Sequence, residues 1–335
     1  MNKTVSVIIP CYNGEQFIDR CINSVVSQDY PSIEIIIVND GSTDKSEEKI
    51  LAWKNVLKNT GRRLIYVKQE NKGLGGAINS GLKYVSGEYL TLLDADDCFL
   101  QGSISKRVNF LVDHVDCVGV KSNGWMINGE QKSLFVKDED EKNISDLFMA
   151  LVCGKTNNWA GTYMVRTKDL FAFYPNREIY PSRYGQNLQI IMPVAYKRKF
   201  GYIDEPLMEY IIQPESLSKS IIRDFEKEEQ NAVGYQDIYT HMIDLIVKDQ
   251  AEHDKYMKIT YSCYYRNALL RAISFNKYDR INELYKNLAS TGLLTLDDRI
   301  IFYSIKCRPI SFVLRCVRKV VNMIFRGRKN ERDFL

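Results

Sequence analysis

The sequence holds only three histidines and three tryptophans in 335 residues. His114, His241 and His253 stand apart from each other and from any cysteine pair, which leaves them surface or packing roles rather than metal ligation. The eight cysteines lack a pattern: they fall singly at 11, 21, 98, 117, 153, 263, 307 and 316, with no C-x-x-C among them. That usage reads as reduced thiols in a cytosolic protein rather than a zinc site or a disulfide framework. No run approaches the ~20 apolar residues that cross a bilayer. The apolar stretch after Met1, ending at Pro10, is too short for a signal-peptide core. The chain is therefore expected to stay inside the cell. Internal repeats and low-complexity segments are also missing. The Gly-rich stretch at 69–77 is neither G-x-G-x-x-G nor a G-K-[ST] loop, which argues against a dinucleotide fold and a P-loop.

The remaining pattern is regular. Val5-Ser6-Val7-Ile8-Ile9 is a β-branched run closed by Pro10 and reads as a buried strand. Residues 14 to 28 carry Phe17, Ile18, Cys21, Ile22 and Val25 at helical spacing. Further strands are predicted at 33–38, 64–67 and 89–93, with helices after Thr43 or Asp44, which could cap, and over 77–85. Strand and helix alternate about four times in 100 residues. That rhythm implies an open α/β sheet of mostly parallel strands with flanking helices. Ligands bind such sheets beyond the carboxyl ends of the strands. The polar clusters at 10–13, 39–44 and 94–97 all fall at such ends. From about 105 to 215 aromatic and polar residues interleave. From 221 the pattern turns helical, with Tyr261, Tyr264, Leu269, Leu270 and Ile273 read as packing residues.

The chemistry concentrates in Asp94-Ala95-Asp96-Asp97. Three carboxylates in four residues repel one another unless a cation sits among them. Hard oxygen ligands suit Mg²⁺ or Mn²⁺, which can bridge a diphosphate. Asp40, in Val38-Asn39-Asp40-Gly41-Ser42-Thr43-Asp44, stands where a carboxylate can accept from a base imide or a ribose hydroxyl, whereas Asp44 reads as a cap. In Asn71-Lys72-Gly73-Leu74-Gly75-Gly76 the glycines let backbone N–H groups approach an anion at a helix start, with Lys72 adding charge.

Taken together, Val7-Ile8-Ile9-Pro10-Cys11-Tyr12-Asn13, Ser27-Gln28-Asp29-Tyr30, Val38 to Asp44, Asn71-Lys72-Gly73 and Leu93 to Asp97 resemble, in order and spacing, the donor half of a family 2 glycosyltransferase with the GT-A fold. Gly201-Tyr202-Ile203-Asp204-Glu205-Pro206-Leu207, Tyr210 and Ser216-Leu217-Ser218 resemble the closing segment of the same domain. The resemblance covers roughly residues 4 to 220. It implies a GT-A, Rossmann-like domain over 1–220, with a nucleotide-sugar half (1–100) and an acceptor half (101–220). A helical region (221–300) and a tail (301–335) follow. It also implies that Pro10 and Tyr12 line the nucleotide pocket and that Asp40 contacts the base, usually uracil. Asn13, Asn71 and Gly73 join the donor site, and Asp94 faces the ribose or donor sugar. Asp96 binds the metal, with Asp94 and Asp97 beside it. The activity implied is inverting transfer from a UDP-sugar to a glycan or lipid-linked acceptor, in cell-surface polysaccharide or glycoconjugate synthesis. No nucleic-acid partner is expected.

Three positions depart from the family pattern. Ile78 replaces a basic residue before Asn79, Gln213 stands where a histidine is common, and Gly185-Gln186-Asn187 replaces the acidic catalytic pair. An amide is no general base at neutral pH. Either the base lies elsewhere, with Glu178 and Asp169 as candidates, or Gln186 and Asn187 only position the acceptor, or the domain binds a nucleotide-sugar without catalysis. Arg183 is a candidate to meet donor phosphate in place of the missing basic residue. A nucleotidyltransferase is disfavoured, because the first strand lacks a Gly-rich basic phosphate loop.

Charge is unevenly spread. Residues 306 to 329 hold eight Lys/Arg and no Asp/Glu, leaving 38 basic against 42 acidic residues elsewhere. Ile310, Val313, Leu314, Val317, Val320, Val321, Ile324 and Phe325 recur at helical spacing opposite Arg315, Arg318, Lys319 and Arg326. A basic amphipathic helix of this kind suits a peripheral contact at the inner face of the cell membrane.

Overall fold

A computed structural model describes residues 3–58, 62–212 and 224–306. The basic amphipathic tail, Gln213 and Ser216-Leu217-Ser218 lie outside the described residues.

The first hundred residues fold in the predicted alternation. Strand β1 (Val5–Cys11) leads to helix α1 (Ile18–Val26), β2 (Ile33–Asp40), α2 (Ser46–Leu57), β3 (Arg63–Gln69), α3 (Gly73–Leu82) and β4 (Tyr89–Leu92). These four strands pair in parallel, with Val5 opposite both Ile33 and Tyr89. Their interior is apolar on both faces, because crossover helices cover both sides of a parallel sheet. Helix α1 starts later than its spacing suggests, because Phe17 and Ile18 N–H both donate to the Gly14 carbonyl in a preceding turn. Helix α3 starts earlier, taking the glycines of 73–76 into its first turn.

The interleaved middle region resolves into β5 (Cys98–Phe99), α4 (Ser103–Asp113), β6 (Cys117–Asn128), β7 (Gln131–Leu134), α5 (Glu139–Lys142), α6 (Leu147–Val152), β8 (Tyr163–Arg166), α7 (Thr167–Phe173), α8 (Gln186–Ala195) and β9 (Lys199–Ile211). One nine-stranded sheet results, in the order β3-β2-β1-β4-β8-β6-β9-β5, with β7 on β6. The half beyond β4 mixes directions: β8 runs antiparallel to β4 and β6, while β9 runs parallel to β6 and antiparallel to β5.

Two buried charges fasten the sheet. Glu34, at the amino end of β2, accepts from Ser6 Oγ (2.5 Å), Ser86 Oγ (2.6 Å) and the N–H groups of Ser86 (2.6 Å) and Gly87 (3.1 Å). Burial opposes its ionised form, but these bonds prevail and hold the carboxyl below its ordinary range. Arg107 of α4 is fully buried. It donates to Ser103 Oγ (2.8 Å), Ser122 Oγ (2.8 Å) and the Gly161 carbonyl (2.5 Å), and burial pushes its pKa down to about 9.

The C-terminal helices are α9 (Phe225–Ile246), α10 (Gln250–Ser274), α11 (Ile281–Ser290) and α12 (Leu296–Lys306). The chain forms two compact units, 1–256 and 257–335, divided within α10. Helix α9 belongs with the sheet, and a Cβ on Gly185 would lie 2.7 Å from Ile238. In the second unit Leu269, Ala272, Ile281, Leu284, Leu288 and Phe302 form a core, with Ile273 against it. Tyr285 stacks on Phe302 (3.7 Å), and Arg266 forks onto Asp298 (2.8 and 2.9 Å). Leu270, read as a packing residue, is instead 43% exposed, because it faces away from this core.

Candidate nucleotide-sugar site

The carboxyl ends of β1, β2 and β4 meet at one edge. Cys11 is level with Asn39 in the β1–β2 register, and Asp94 follows β4 by two residues. Around this edge three loops are tied together. Asn13, at φ +49, accepts from Thr43 N–H at its side-chain oxygen (2.8 Å), and its own N–H donates to Ser42 Oγ (3.0 Å). Asp44 accepts from Glu15 N–H (2.9 Å), Ser46 N–H (3.0 Å) and Ser46 Oγ (2.5 Å). The side-chain oxygen of Asn13, a predicted donor contact, is thus committed to shaping the loop. Asp44 holds the start of α2, as a capping residue would.

Asp40 is buried, and its Oδ1 accepts from Gln69 Nε2 (2.6 Å) and Lys72 N–H (2.8 Å). Asn71 Oδ1 accepts from Gly73 N–H (3.1 Å) and bends the chain into α3. Gly41, at φ +77, lies against this loop: a Cβ there would sit 2.8 Å from Asn71 N. Pro10 is buried beneath the edge, while Tyr12 is 55% exposed and open to a stacking partner.

The acidic turn is the electrostatic centre. Burial, then the neighbouring Asp96 charge, pushes Asp94 up to about 7. Burial also raises Asp96, against the pull of the Arg20 guanidinium, which donates to the Asp96 carbonyl (2.6 Å). Asp97 is raised well above the carboxylate range by burial and by both neighbours. Its Oδ1 accepts from Ile211 N–H (3.1 Å) on β9, and its Oδ2 is buried without a partner.

Among the described residues no three carboxylate, imidazole or thiol side chains converge on a metal position. The predicted trio of Asp94, Asp96 and Asp97 is therefore not an all-protein cage, because Asp97 is turned inward as a strut to β9. The half-buried pair Asp94 and Asp96, with a partnerless carboxylate oxygen behind them, still fits a divalent cation of the kind that takes one or two carboxylates and completes its shell with phosphate and water.

The acceptor-side candidates separate. Gln186 and Asn187 open α8 at the same edge as the acidic turn. A Cβ on Gly75 would lie 2.7 Å from the Ser182 carbonyl, so the 182–187 segment lies over the start of α3. Gln186 Nε2 donates to that carbonyl (3.0 Å), and Tyr163, buried near Asp94, donates its hydroxyl to Asn187 Oδ1 (2.7 Å). Arg183 is exposed on this segment. Glu178 and Asp169 are elsewhere. Glu178 pairs with Lys83 (3.0 Å) just past the end of α3, and Asp169 pairs with Arg198 (3.0 Å) just past Arg166, which is opposite Tyr89. Both stand near the amino end of β4, the opposite end of that strand from the acidic turn, which argues against either as the base there. His114 stacks on Phe110, His241 on Tyr180, and His253 contacts Asp244.

Sequence reasoning missed Arg20, Tyr163, Trp159 and the Ile211 N–H, and placed Tyr210 only within the closing segment. Gln28, part of a recognised motif, is structural: it donates to Ser24 and Leu100 carbonyls (2.9 Å each) and accepts from Ile104 N–H (3.2 Å), fixing the chain after the acidic turn.

A parallel β1–β4 core, a mixed second half and an acidic turn at the central strand end are the architecture of a GT-A-type glycosyltransferase fold. Residues 6–171, just under half of the chain, match the profile of glycosyl transferase family 2. Glycosyltransferase GlyA of Streptococcus pneumoniae is 38% identical over 135 residues, covering 40% of this chain and 18% of that one; the chain spans under a fifth of this relative's length. Staphylococcus aureus TarS (1–349), solved in complex with UDP-GlcNAc, superposes with a TM-score of 0.59 at 19% identity, over 86% of this chain and 80% of that one. The mannosyltransferase PcManGT of Pyrobaculum calidifontis, solved with GDP-Man and Mn²⁺, superposes with a TM-score of 0.56 at 16% identity, over 99% and 89%. Among the described residues no helix is long and apolar enough to cross a membrane.

Proposed function

We propose that this chain is an inverting glycosyltransferase that moves a sugar from a UDP-sugar to a glycan or lipid-linked acceptor in cell-surface polysaccharide or glycoconjugate synthesis. The observation that carries the reading is the convergence of Tyr12, Asp40, the start of α3 and the Asp94–Asp97 turn on one sheet edge. Tyr12 stacks on the base and Asp40 accepts from it. The start of α3 and the exposed Arg183 face the diphosphate. Asp94 and Asp96 hold a divalent cation, Mn²⁺ or Mg²⁺, which when bound neutralises charge on the departing diphosphate. The UDP-GlcNAc complex of TarS supports a uridine donor, although PcManGT binds GDP-Man on a similar fold. The basic 306–329 segment supports peripheral contact with an anionic membrane, where a lipid-linked acceptor would lie.

A second reading is that the domain binds a nucleotide-sugar without turning it over. It is favoured by Asn187, an amide held by Tyr163 at the acceptor side, with both carboxylate candidates at the opposite edge. Titration with UDP by calorimetry, with Mn²⁺ and then with excess chelator, tests the shared part of both readings. Binding should depend on the metal and vanish in Asp96→Asn; unchanged affinity in that variant would sink the metal assignment. Release of UDP from a panel of UDP-sugars with candidate acceptors separates enzyme from binding protein.

A further inference from the structure

Three aromatic rings lie on the other side of the acidic turn from the nucleotide strands. Trp159 and Tyr210 stack with centroids 5.3 Å apart and planes 19° from parallel. Phe135 sets its edge against Trp159 (4.4 Å, 81°) and against Tyr210 (6.4 Å, 63°). Both stacked rings are tied to the turn through the backbone. Two residues after Trp159, Gly161 N–H donates to the Leu92 carbonyl (2.7 Å) at the end of β4. One residue after Tyr210, Ile211 N–H donates to Asp97 Oδ1. The Trp159 turn is also fixed by the buried Arg107 on the Gly161 carbonyl, and by Thr162 Oγ1 on the Trp159 carbonyl (2.6 Å).

The sheet order gives this cluster its direction. Tyr12 and Asp40 extend from β1 and β2 on one side of β4. The aromatic cluster is borne by β9 and by the turns before β8 and after β7 on the other. A donor laid from β2 towards Asp94 points its sugar at these rings. Neither Trp159 nor Tyr210 is buried; each keeps part of its surface open. A partly exposed, rigidly mounted aromatic stack offers the negative π-surface that suits the polarised C–H groups on one side of a pyranose ring. An acyclic polyol chain offers no matching flat face.

We infer that Trp159, with Tyr210 behind it, is the platform for the accepting sugar, and that the acceptor ends in a pyranose ring rather than a polyol phosphate. The inference rests on the donor-site reading above. It makes Trp159 a specificity-determining residue of the acceptor side.

The test is saturation-transfer NMR on the full chain loaded with UDP and Mn²⁺. The probes are the methyl glycosides of glucose, galactose, mannose and N-acetylglucosamine, with sorbitol and glycerol 1-phosphate as acyclic comparators. At least one glycoside should receive saturation on its ring C–H protons, and the acyclic probes should not. Trp159→Ala should weaken that glycoside about three- to tenfold, Trp159→Phe should recover most of the loss, and UDP affinity should be unchanged in both. Unchanged UDP affinity also certifies that the variants are folded, and Tyr210→Leu provides an independent second variant with the same expected direction. A glycoside signal indifferent to Trp159→Ala, equal saturation of the acyclic probes, or no glycoside contact in the UDP-loaded protein overturns the platform alone. Failure of the wild-type protein to bind UDP overturns the donor-site reading and the platform with it.

Discussion

Two glycines offer a controlled comparison of strain and crowding. Gly41 (φ +77) and Gly73 (φ +72) share the left-handed conformation, but their surroundings differ. A Cβ at Gly41 would stand 2.8 Å from Asn71 N and 3.3 Å from Asn71 Cβ, whereas at Gly73 it would meet nothing within 4 Å. Alanine at either position pays the left-handed strain, roughly 1–2 kcal/mol. At Gly41 the clash is with backbone, so Asn71 must move. Lys72 N–H then leaves Asp40 (2.8 Å), a bond to a charged acceptor worth about 1.5–3 kcal/mol. Gly41→Ala should therefore cost about 2.5–5 kcal/mol and Gly73→Ala about 1–2 kcal/mol. Trp53, Trp125 and Trp159 all lie within 1–256, so tryptophan fluorescence during urea unfolding reports that unit selectively. UDP affinity should fall with Gly41→Ala, because Asp40 loses the loop that orients it. Equal losses for the two variants, within about 0.5 kcal/mol, would refute the argument that loop contact rather than backbone strain sets the shape of this edge.

Other expectations follow from buried groups and from the acceptor side. Glu34 has a folded pKa below its unfolded value, so its contribution is present above the ordinary glutamate range and is lost as pH falls through the lowered value. Glu34→Gln should flatten the acid limb of a stability–pH curve and cost about 1–3 kcal/mol at neutral pH; an unchanged acid limb would refute its role. Arg266→Met leaves the buried Asp298 carboxylate without its cation and should destabilise the second unit by about 3–5 kcal/mol in thermal unfolding followed by circular dichroism. Asp169→Asn and Glu178→Gln should leave turnover on any active donor–acceptor pair within about twofold, since a general base is worth about 10²–10⁴ and neither residue reaches the acidic turn. Deletion after residue 305 should release the chain from anionic vesicles in a sedimentation assay, and equal sedimentation would remove the tail from the membrane.

The donor edge was legible because its signals are local. A β-branched run, a turn cluster and a helix start are written within about ten residues of each other, so β1 to β4 and their polar ends could be placed from pattern alone. Relations across the chain were not legible. Asp97 looked like a third metal ligand because nothing near it in sequence announces Ile211, which claims one of its oxygens. Glu178 and Asp169 were plausible bases by composition, and only the path of 167–187 along α3 shows them at the far edge. Asn13 looked like a ligand because a side-chain amide at a strand end suits either a ligand or a loop clasp, and its oxygen is held as a clasp by Thr43. Trp159 carried no motif at all; its neighbours Tyr210 and Phe135 come from β9 and from the turn after β7.

The bond between Asp97 and Ile211 also has a meaning for synthesis. Its partners are 114 residues apart, and Ile211 lies 40 residues beyond the segment that matches the family profile, which ends at 171. At ~5–20 residues per second, a ribosome needs roughly 6–23 s to make that interval. Throughout that time the nascent chain carries the acidic turn without the β9 N–H that braces it. β5 likewise waits for its pairing partner. Completion of the candidate site is thus tied to the arrival of β9, and a ribosome-bound intermediate stalled before residue 211 would present the donor-side motifs without a finished site.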